Sequence, residues 1–217
     1  MAMLHWDADA IVLSGADSRD DKIIRLLMET DEMIPAVVRF ARRPGKSSKG
    51  PRIQPLSSVH VTLRGKETDE LALLETVTVE SAHAVLKGDL IRFALASTMA
   101  EVVLQLVPDW GQEPGIHALL LRALQHLDDP TARVGEELLT LFELRTLDLA
   151  GILPPLETMA ELPISVRDAL LAWRNGAWKA LPQAEVRAAS RVLEQALVSA
   201  SGRPLVSRAF LDQVLGS

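Results

Sequence analysis

The stretch that decides the fold is SSVHVTLRG, residues 57–65, in which apolar and polar residues alternate. Val59, Val61 and Leu63 share one face of this segment, because successive side chains of a β-strand point to opposite faces. Five such short apolar runs lie within about 75 residues, which indicates a small closed or nearly closed barrel. The predicted strands are AIVLSGA (10–16), KIIRLLM (22–28), MIPAVVRFA (33–41), VHVTLRG (59–65) and ELALLETVTV (70–79).

The hydrophobic period changes after about residue 81. From there apolar residues recur every three or four positions, which is typical of amphipathic helices, and prolines and glycines separate the runs. The sequence therefore predicts an α+β chain, with a five-stranded barrel in residues 1–80 and an all-helical bundle in residues 81–217. The predicted helical runs are 88–108, 114–130, 136–152, 166–176, 185–202 and 208–216.

Composition excludes several classes of site. The chain of 217 residues contains no cysteine, which rules out disulfides, thiolate zinc sites, iron–sulfur clusters and a cysteine nucleophile. The N-terminus lacks the pattern of a secretory signal peptide. Arg92, Glu101 and Gln105 interrupt the most apolar segment, 90–107, so we expect a helix of a soluble protein and a cytoplasmic location.

Positive charge is concentrated in one window of an otherwise acidic chain. The formal net charge is −6, yet no acidic residue lies between Glu32 and Glu67. A surface of two strands and their loop that carries such a charge is typical of OB-folds that hold a nucleic-acid backbone. We predict that the following residues bind DNA: Arg39, Arg42, Arg43, Lys46, Lys49, Arg52, Arg64 and Lys66.

Two other interpretations apply to this basic window. Gly45-Lys46-Ser47 matches the last three residues of the phosphate-binding P-loop motif. The motif also needs a glycine at position 40, which is Phe40, and the surrounding prolines forbid the helix that should begin at Lys46. A solvated loop is the simpler alternative, although the charge extends into the strands. Because Trp6 is expected just before the first strand and Phe40 in the core, DNA binding should be mainly electrostatic and strongly salt-dependent.

Nothing in the sequence indicates an enzyme. The five histidines form no ligand pair of the H-x-x-x-H kind, so each is expected at the surface or half-buried, and no metal or cofactor is predicted. The carboxylates are expected at solvent-facing positions of helices. Acids such as Glu136 and Glu137 are expected in a first helical turn, where the helix dipole favours them.

The order of these features resembles the RecO family of recombination mediators, which are bacterial DNA repair proteins. The resemblance covers most of the chain and follows WDADAIVLS, DDK, ARRPGKSSKG, QPLSSVHVTLRGK, ETVTVESA, FELRTLDLAGILP and SRAFLDQVLG in sequence. It implies an N-terminal OB-fold, a helical domain, binding of single- and double-stranded DNA and annealing of complementary strands. It also implies two protein partners, RecR and the acidic, Phe-ended tail of single-stranded-DNA-binding protein, and help in loading RecA.

Two consequences of the resemblance concern particular residues. Many members carry a four-cysteine zinc module after the stretch that matches LAGILP, whereas this chain has PLETMAELPISV, so no zinc is expected. The partner tail would fit an apolar groove rimmed by cations. The predicted rim is Arg122, Arg145, Arg174 and Lys179, with Trp173 and Trp178 as walls. The alternative is that the cations are ordinary solvated positions and that the two tryptophans belong to the core.

A second function class stays open. The overall acidity and the few aromatic residues are also compatible with a non-enzymatic adaptor, whose basic loop binds an acidic protein and not DNA. Retention of an oligonucleotide at low salt distinguishes the two functions.

Overall fold

Five strands close into a barrel in the computed structural model, which describes residues 4–18, 21–39, 53–66, 69–159 and 162–216. The strands are β1 (Leu4–Ser18), β2 (Asp21–Met28), β3 (Met33–Val38), β4 (Ser58–Gly65) and β5 (Ala72–Ser81). Their order is β1-β2-β3-β5-β4, and β4 pairs back onto β1. All pairs are antiparallel except β3 with β5. The predicted OB-fold is confirmed.

The long first strand closes the barrel. Its first part, from Leu4 to Ile11, pairs with β4, and its second part, from Ala10 to Ser18, pairs with β2. The prediction that Trp6 precedes the first strand is wrong, because Trp6 lies inside β1, opposite Leu63.

Alternation in β4 places its apolar face in the barrel core. Val59, Val61 and Leu63 are buried, as the opening stretch predicts. They pack with apolar residues of the other strands, and Trp6 lies partly buried against the same core. At about 25 cal/mol for each Å² of apolar surface removed from water, this shared core stabilises the closed barrel.

Seven α-helices and one short 3-10 turn follow in the described part of the chain. The five-residue helix α1 was not predicted, because one turn and a half is too short to show a helical period. The helices are α1 (Ala84–Gly88), α2 (Leu90–Leu106), α3 (Ile116–Asp128), α4 (Glu136–Leu149), α5 (Ile164–Arg174), α6 (Gln183–Ser201) and α7 (Val206–Gly216). No described helix is both long and apolar enough to cross a membrane.

The chain divides into two compact units. The barrel unit comprises Met1–Ala84 and Val107–Leu121, and the helical unit comprises Val85–Leu106 and Arg122–Ser217. Segment 107–121 joins the barrel through backbone hydrogen bonds of Met33 with Trp110 and Gly111. The Asp31 carboxylate accepts hydrogen bonds from the backbone N–H groups of Gly115 and His117. It thereby supplies acceptors for N–H groups at the start of α3, which have no partner within the helix.

Charge is buried inside the helical unit. Glu143 of α4 is fully buried, so the expectation of solvent-facing carboxylates is wrong at this position. Arg208 of α7 lies 3.2 Å from the Glu143 carboxylate and also hydrogen-bonds to Ser190 of α6. The Glu101 carboxylate accepts hydrogen bonds from the backbone N–H groups of Val206 and Ser207, and so holds the start of α7. Polar contacts thus connect α7 to α2, α4 and α6.

Two histidines also depart from expectation. His83 and His117 are buried, whereas all five were expected at the surface or half-buried. The ring of His83 hydrogen-bonds to Ser58 and Ser81. Burial lowers the pKa of His117, because desolvation disfavours the imidazolium.

Candidate nucleic-acid interface

Three of the eight predicted DNA-binding cations lie among the described residues. Arg39 is exposed in the turn that follows β3, Arg64 is exposed near the end of β4, and Lys66 is the first residue after β4. The others, together with Phe40, lie outside the described residues: Arg42, Arg43, Lys46, Lys49 and Arg52.

Strand register brings Arg39 and Arg64 to the two sides of β5. Leu73 near the start of β5 pairs with Val37 of β3 on one side and with Arg64 of β4 on the other. Arg39 follows Val37 by two residues. Because adjacent strands are about 4.8 Å apart, the backbones of β3 and β4 are roughly 10 Å apart across β5. We call this edge, defined by Arg39, Arg64 and Lys66, the basic edge.

The described ends of the predicted basic loop also lie beside β3. Arg39 is the last described residue before segment 40–52, and the next described residue is Ile53. The Ile53 carbonyl accepts a hydrogen bond of 2.7 Å from Lys22 Nζ. Lys22 is the register partner of Val38, the last residue of β3. The segment that carries five of the predicted cations therefore starts and ends near one side of the basic edge.

Carboxylates moderate the charge of the basic edge. Arg64 Nε lies 3.0 Å from Glu75 Oε1, and both side chains are partly exposed. The Lys66 backbone N–H donates to the Asp69 carboxylate at 2.9 Å. An exposed ion pair contributes only about 0.2–1 kcal/mol, so the Arg64 guanidinium can exchange Glu75 for another anion at small cost.

The face shared by β1 and β4 has a different character. The ring of His60 bridges two carboxylates, with Nδ1 2.7 Å from Asp9 and Nε2 2.9 Å from Asp7. Both hydrogen bonds raise the pKa of His60, because they favour the imidazolium, and the hydrogen bond to Asp9 has the larger effect. Two carboxylates around one cation do not attract phosphate. This triad is not visible in the sequence, since only the pairing of β1 with β4 brings His60, Asp7 and Asp9 together.

Aromatic residues of the described barrel unit do not form an exposed stacking surface. Trp6 and Trp110 are both half-buried, and their ring centroids are 5.9 Å apart. Base stacking on exposed rings is the usual means by which OB-folds add sequence-tolerant affinity. In the described barrel the candidate interface therefore consists of cations at or near strand ends.

Most residues of the predicted partner site, but not Arg122, lie around one turn of the helical unit. Trp173 is buried and Trp178 exposed, and their rings stack with centroids 4.9 Å apart. Arg174 pairs with Asp148 at 2.8 Å, and Lys179 lies 3.8 Å from Asp168. The Arg145 guanidinium reaches the same turn, within 3.9 Å of the position that a Cβ would take at Gly176. Arg122 is exposed on α3 and is not part of these contacts.

The described residues contain no group of three or more His, Asp or Glu side chains placed to hold a metal ion. The triad of His60 does not qualify, because both of its ring nitrogens are already engaged by carboxylates.

Two family models match the chain in succession. The model described as "Recombination protein O N terminal" matches residues 1–82, which contain the five strands. The model described as "Recombination protein O C terminal" matches residues 87–176, within the helical part.

Curated relatives carry the name DNA repair protein RecO. The protein of Syntrophotalea carbinolica is 30% identical over 155 residues, which are 71% of this chain and 59% of the relative. That of Symbiobacterium thermophilum is 34% identical over 156 residues, 71% of this chain and 60% of the relative. That of Heliobacterium modesticaldum is 30% identical over 182 residues, which are 82% of this chain and 62% of the relative. The chain thus spans about three fifths of the length of the relatives it matches.

Proposed function

This chain belongs to the recombination protein O family, and we propose that it is a non-enzymatic mediator of DNA repair and recombination. It binds single- and double-stranded DNA without sequence preference and anneals complementary strands in the cytoplasm, on the nucleoid. The observation that carries the proposal is the basic edge of a closed OB-fold barrel, together with five further cations that the sequence places in segment 40–52, outside the described residues.

Electrostatics accounts for the proposed activity. Cations at the basic edge and in segment 40–52 neutralise backbone phosphates and release their counterions, which drives binding without reading bases. Annealing follows, since two strands whose charge is neutralised on one surface approach each other more easily. The carboxylates beside His60 favour a DNA surface at Arg39, Arg64 and Lys66 over one at the β1–β4 face around His60.

Protein partners complete the proposal. We propose that the chain contacts RecR and the acidic tail of single-stranded-DNA-binding protein, and thereby helps to load RecA. For the tail we retain the predicted cations. Of these, Arg174 and Lys179 already have carboxylate partners, which a tail would need to displace. The tail-binding cations are Arg122, Arg145, Arg174 and Lys179.

The first experiment measures fluorescence anisotropy of a labelled single-stranded oligonucleotide at increasing salt. If about five of the eight cations contact phosphates, log K falls against log[salt] with a slope of about −3.5. The double variant Arg42→Glu with Arg43→Glu should abolish annealing while the fold, followed by circular dichroism, is kept.

A matched control distinguishes the effect of the substituted positions from the effect of the change in net charge. Arg191 and Arg203 are exposed in the helical unit, so Arg191→Glu with Arg203→Glu changes the net charge equally, away from the predicted surface. Annealing should survive in this control. Unchanged annealing in the folded Arg42/Arg43 variant would refute the DNA assignment. Failure of the unaltered chain to bind DNA at low salt would favour the adaptor that binds an acidic protein.

A further inference from the structure

In the turn after α5, an exposed tryptophan stacks on a buried one. Trp173 is buried and Trp178 is 60% exposed. Their planes differ by only 6°, with centroids 4.9 Å apart, so one face of Trp178 is covered and the other is open. The helical unit therefore displays a flat indole face, which the described barrel does not.

Local hydrogen bonds fix this arrangement. The N–H of Ala177 donates to the carbonyl of Ala172, and Gly176 has a φ of +84°. This is the pattern with which a glycine in the left-handed region ends a helix. Trp173 Nε1 donates to the Lys179 carbonyl at 2.9 Å, which anchors the lower ring. Because the turn and the supporting ring are held, a ligand that stacks on Trp178 meets a surface that is already ordered.

The surroundings of Trp178 suit a neutral aromatic group on the ring, with the charged side chains at its edge. Arg145, Arg174 and Lys179 surround the turn, but Asp148 and Asp168 offset two of their three charges. Helix α5 also ends here, and its C-terminal carbonyls carry a partial negative charge. An unpaired nucleobase is uncharged, so neither the two carboxylates nor the helix end repels it, and its phosphates lie further out, towards the cations.

We propose that the open face of Trp178 stacks an unpaired nucleobase of single-stranded DNA, with Lys179 and Arg174 beside the adjoining phosphates. This rests on the proposed function and deepens it, since it gives the chain a contact that only single-stranded DNA can make. Base stacking on an aromatic ring is tolerant of sequence, and its loss weakens binding about tenfold per base. The barrel cations serve both forms of DNA, and Trp178 adds preference for the single strand.

The test compares Trp178→Ala with Trp178→Phe in the full chain, on single-stranded, duplex and fully abasic oligonucleotides at low salt. We expect Trp178→Ala to lower single-strand affinity about tenfold and to leave duplex and abasic affinities unchanged, because neither offers an unpaired base. Trp178→Phe should keep most of the affinity. The matched control is Ile164→Ala, which removes another exposed apolar side chain of the helical unit, 69% exposed, and should have no effect.

Each contrary outcome has its own meaning. Equal single-strand binding by Trp178→Ala and the unaltered chain overturns this inference alone. Equal weakening on all three oligonucleotides assigns Trp178 a structural role and also overturns it. Loss of binding to an acidic, Phe-ended peptide with DNA binding intact would make the surface a peptide site. Absence of any DNA binding by the unaltered chain overturns the inference together with the proposed function.

Discussion

The barrel unit and the helical unit both contain ion pairs and tryptophans, but they differ in which of these groups are buried. In the barrel unit the ion pairs are exposed, as in Arg25 with Asp109, while Trp6 is half-buried. In the helical unit the pair of Arg208 with Glu143 is buried, while Trp178 is exposed. Exposed pairs contribute little to stability and exchange partners easily, whereas a buried pair must stay intact. The barrel's charges are thus available for ligands, and those of the helical core maintain the fold.

The largest effect is expected from Arg208→Ala. The change leaves the buried Glu143 carboxylate without its cation, which costs about 3–5 kcal/mol when that carboxylate is ionised. Arg25→Ala is the matched change in the barrel unit, where both partners are about 40% exposed, and should cost about 0.2–1 kcal/mol. Urea unfolding followed by circular dichroism above pH about 8 measures both. Similar losses in the two variants would contradict the comparison between the units.

A second prediction concerns pH. Burial raises the pKa of Glu143 from 4.5 to about 8, although the Arg208 guanidinium opposes the shift. A carboxyl whose folded pKa lies above its unfolded value contributes stability that is complete below pH about 4.5 and lost as pH rises through about 8. The free energy of unfolding should therefore fall across this window. Glu143→Gln, which stays neutral, should flatten the curve, and an unchanged slope in that variant would exclude Glu143 as its source.

The strands and most helices were predictable because their hydrophobic period is local. The alternation of Val59, Val61 and Leu63 requires only neighbouring residues, and the barrel core confirms it. The burial of Glu143 was also predictable from local sequence. Glu143 lies four residues from Leu139 and four from Leu147, both buried, so its place on the apolar stripe of α4 was visible in the sequence. Its partner Arg208, however, is 65 residues away and could not be inferred from spacing.

The candidate site was predictable as a charge pattern and not as a geometry. The sequence located the cations, but the pairing of Arg64 with Glu75 depends on the register of β4 with β5. Likewise, His60 lies 51 residues from Asp9, and only the closure of β1 onto β4 joins them. The predicted cations of segment 40–52 lie outside the described residues, so their place in the interface stays a prediction.

The smallest expected effect tests whether the barrel's exposed pairs are available for ligands. Glu75→Gln removes the carboxylate 3.0 Å from Arg64 and should raise single-strand affinity about twofold to threefold at low salt, with no gain at high salt. Stability should change by less than about 0.5 kcal/mol, as for other surface substitutions. Glu80→Gln, exposed near the other end of β5, is the control with the same change in charge. If both variants gained affinity equally, net charge alone would explain the result. A gain confined to Glu75→Gln would place Arg64 in contact with the DNA, because only there does the lost carboxylate compete with a phosphate for the same guanidinium.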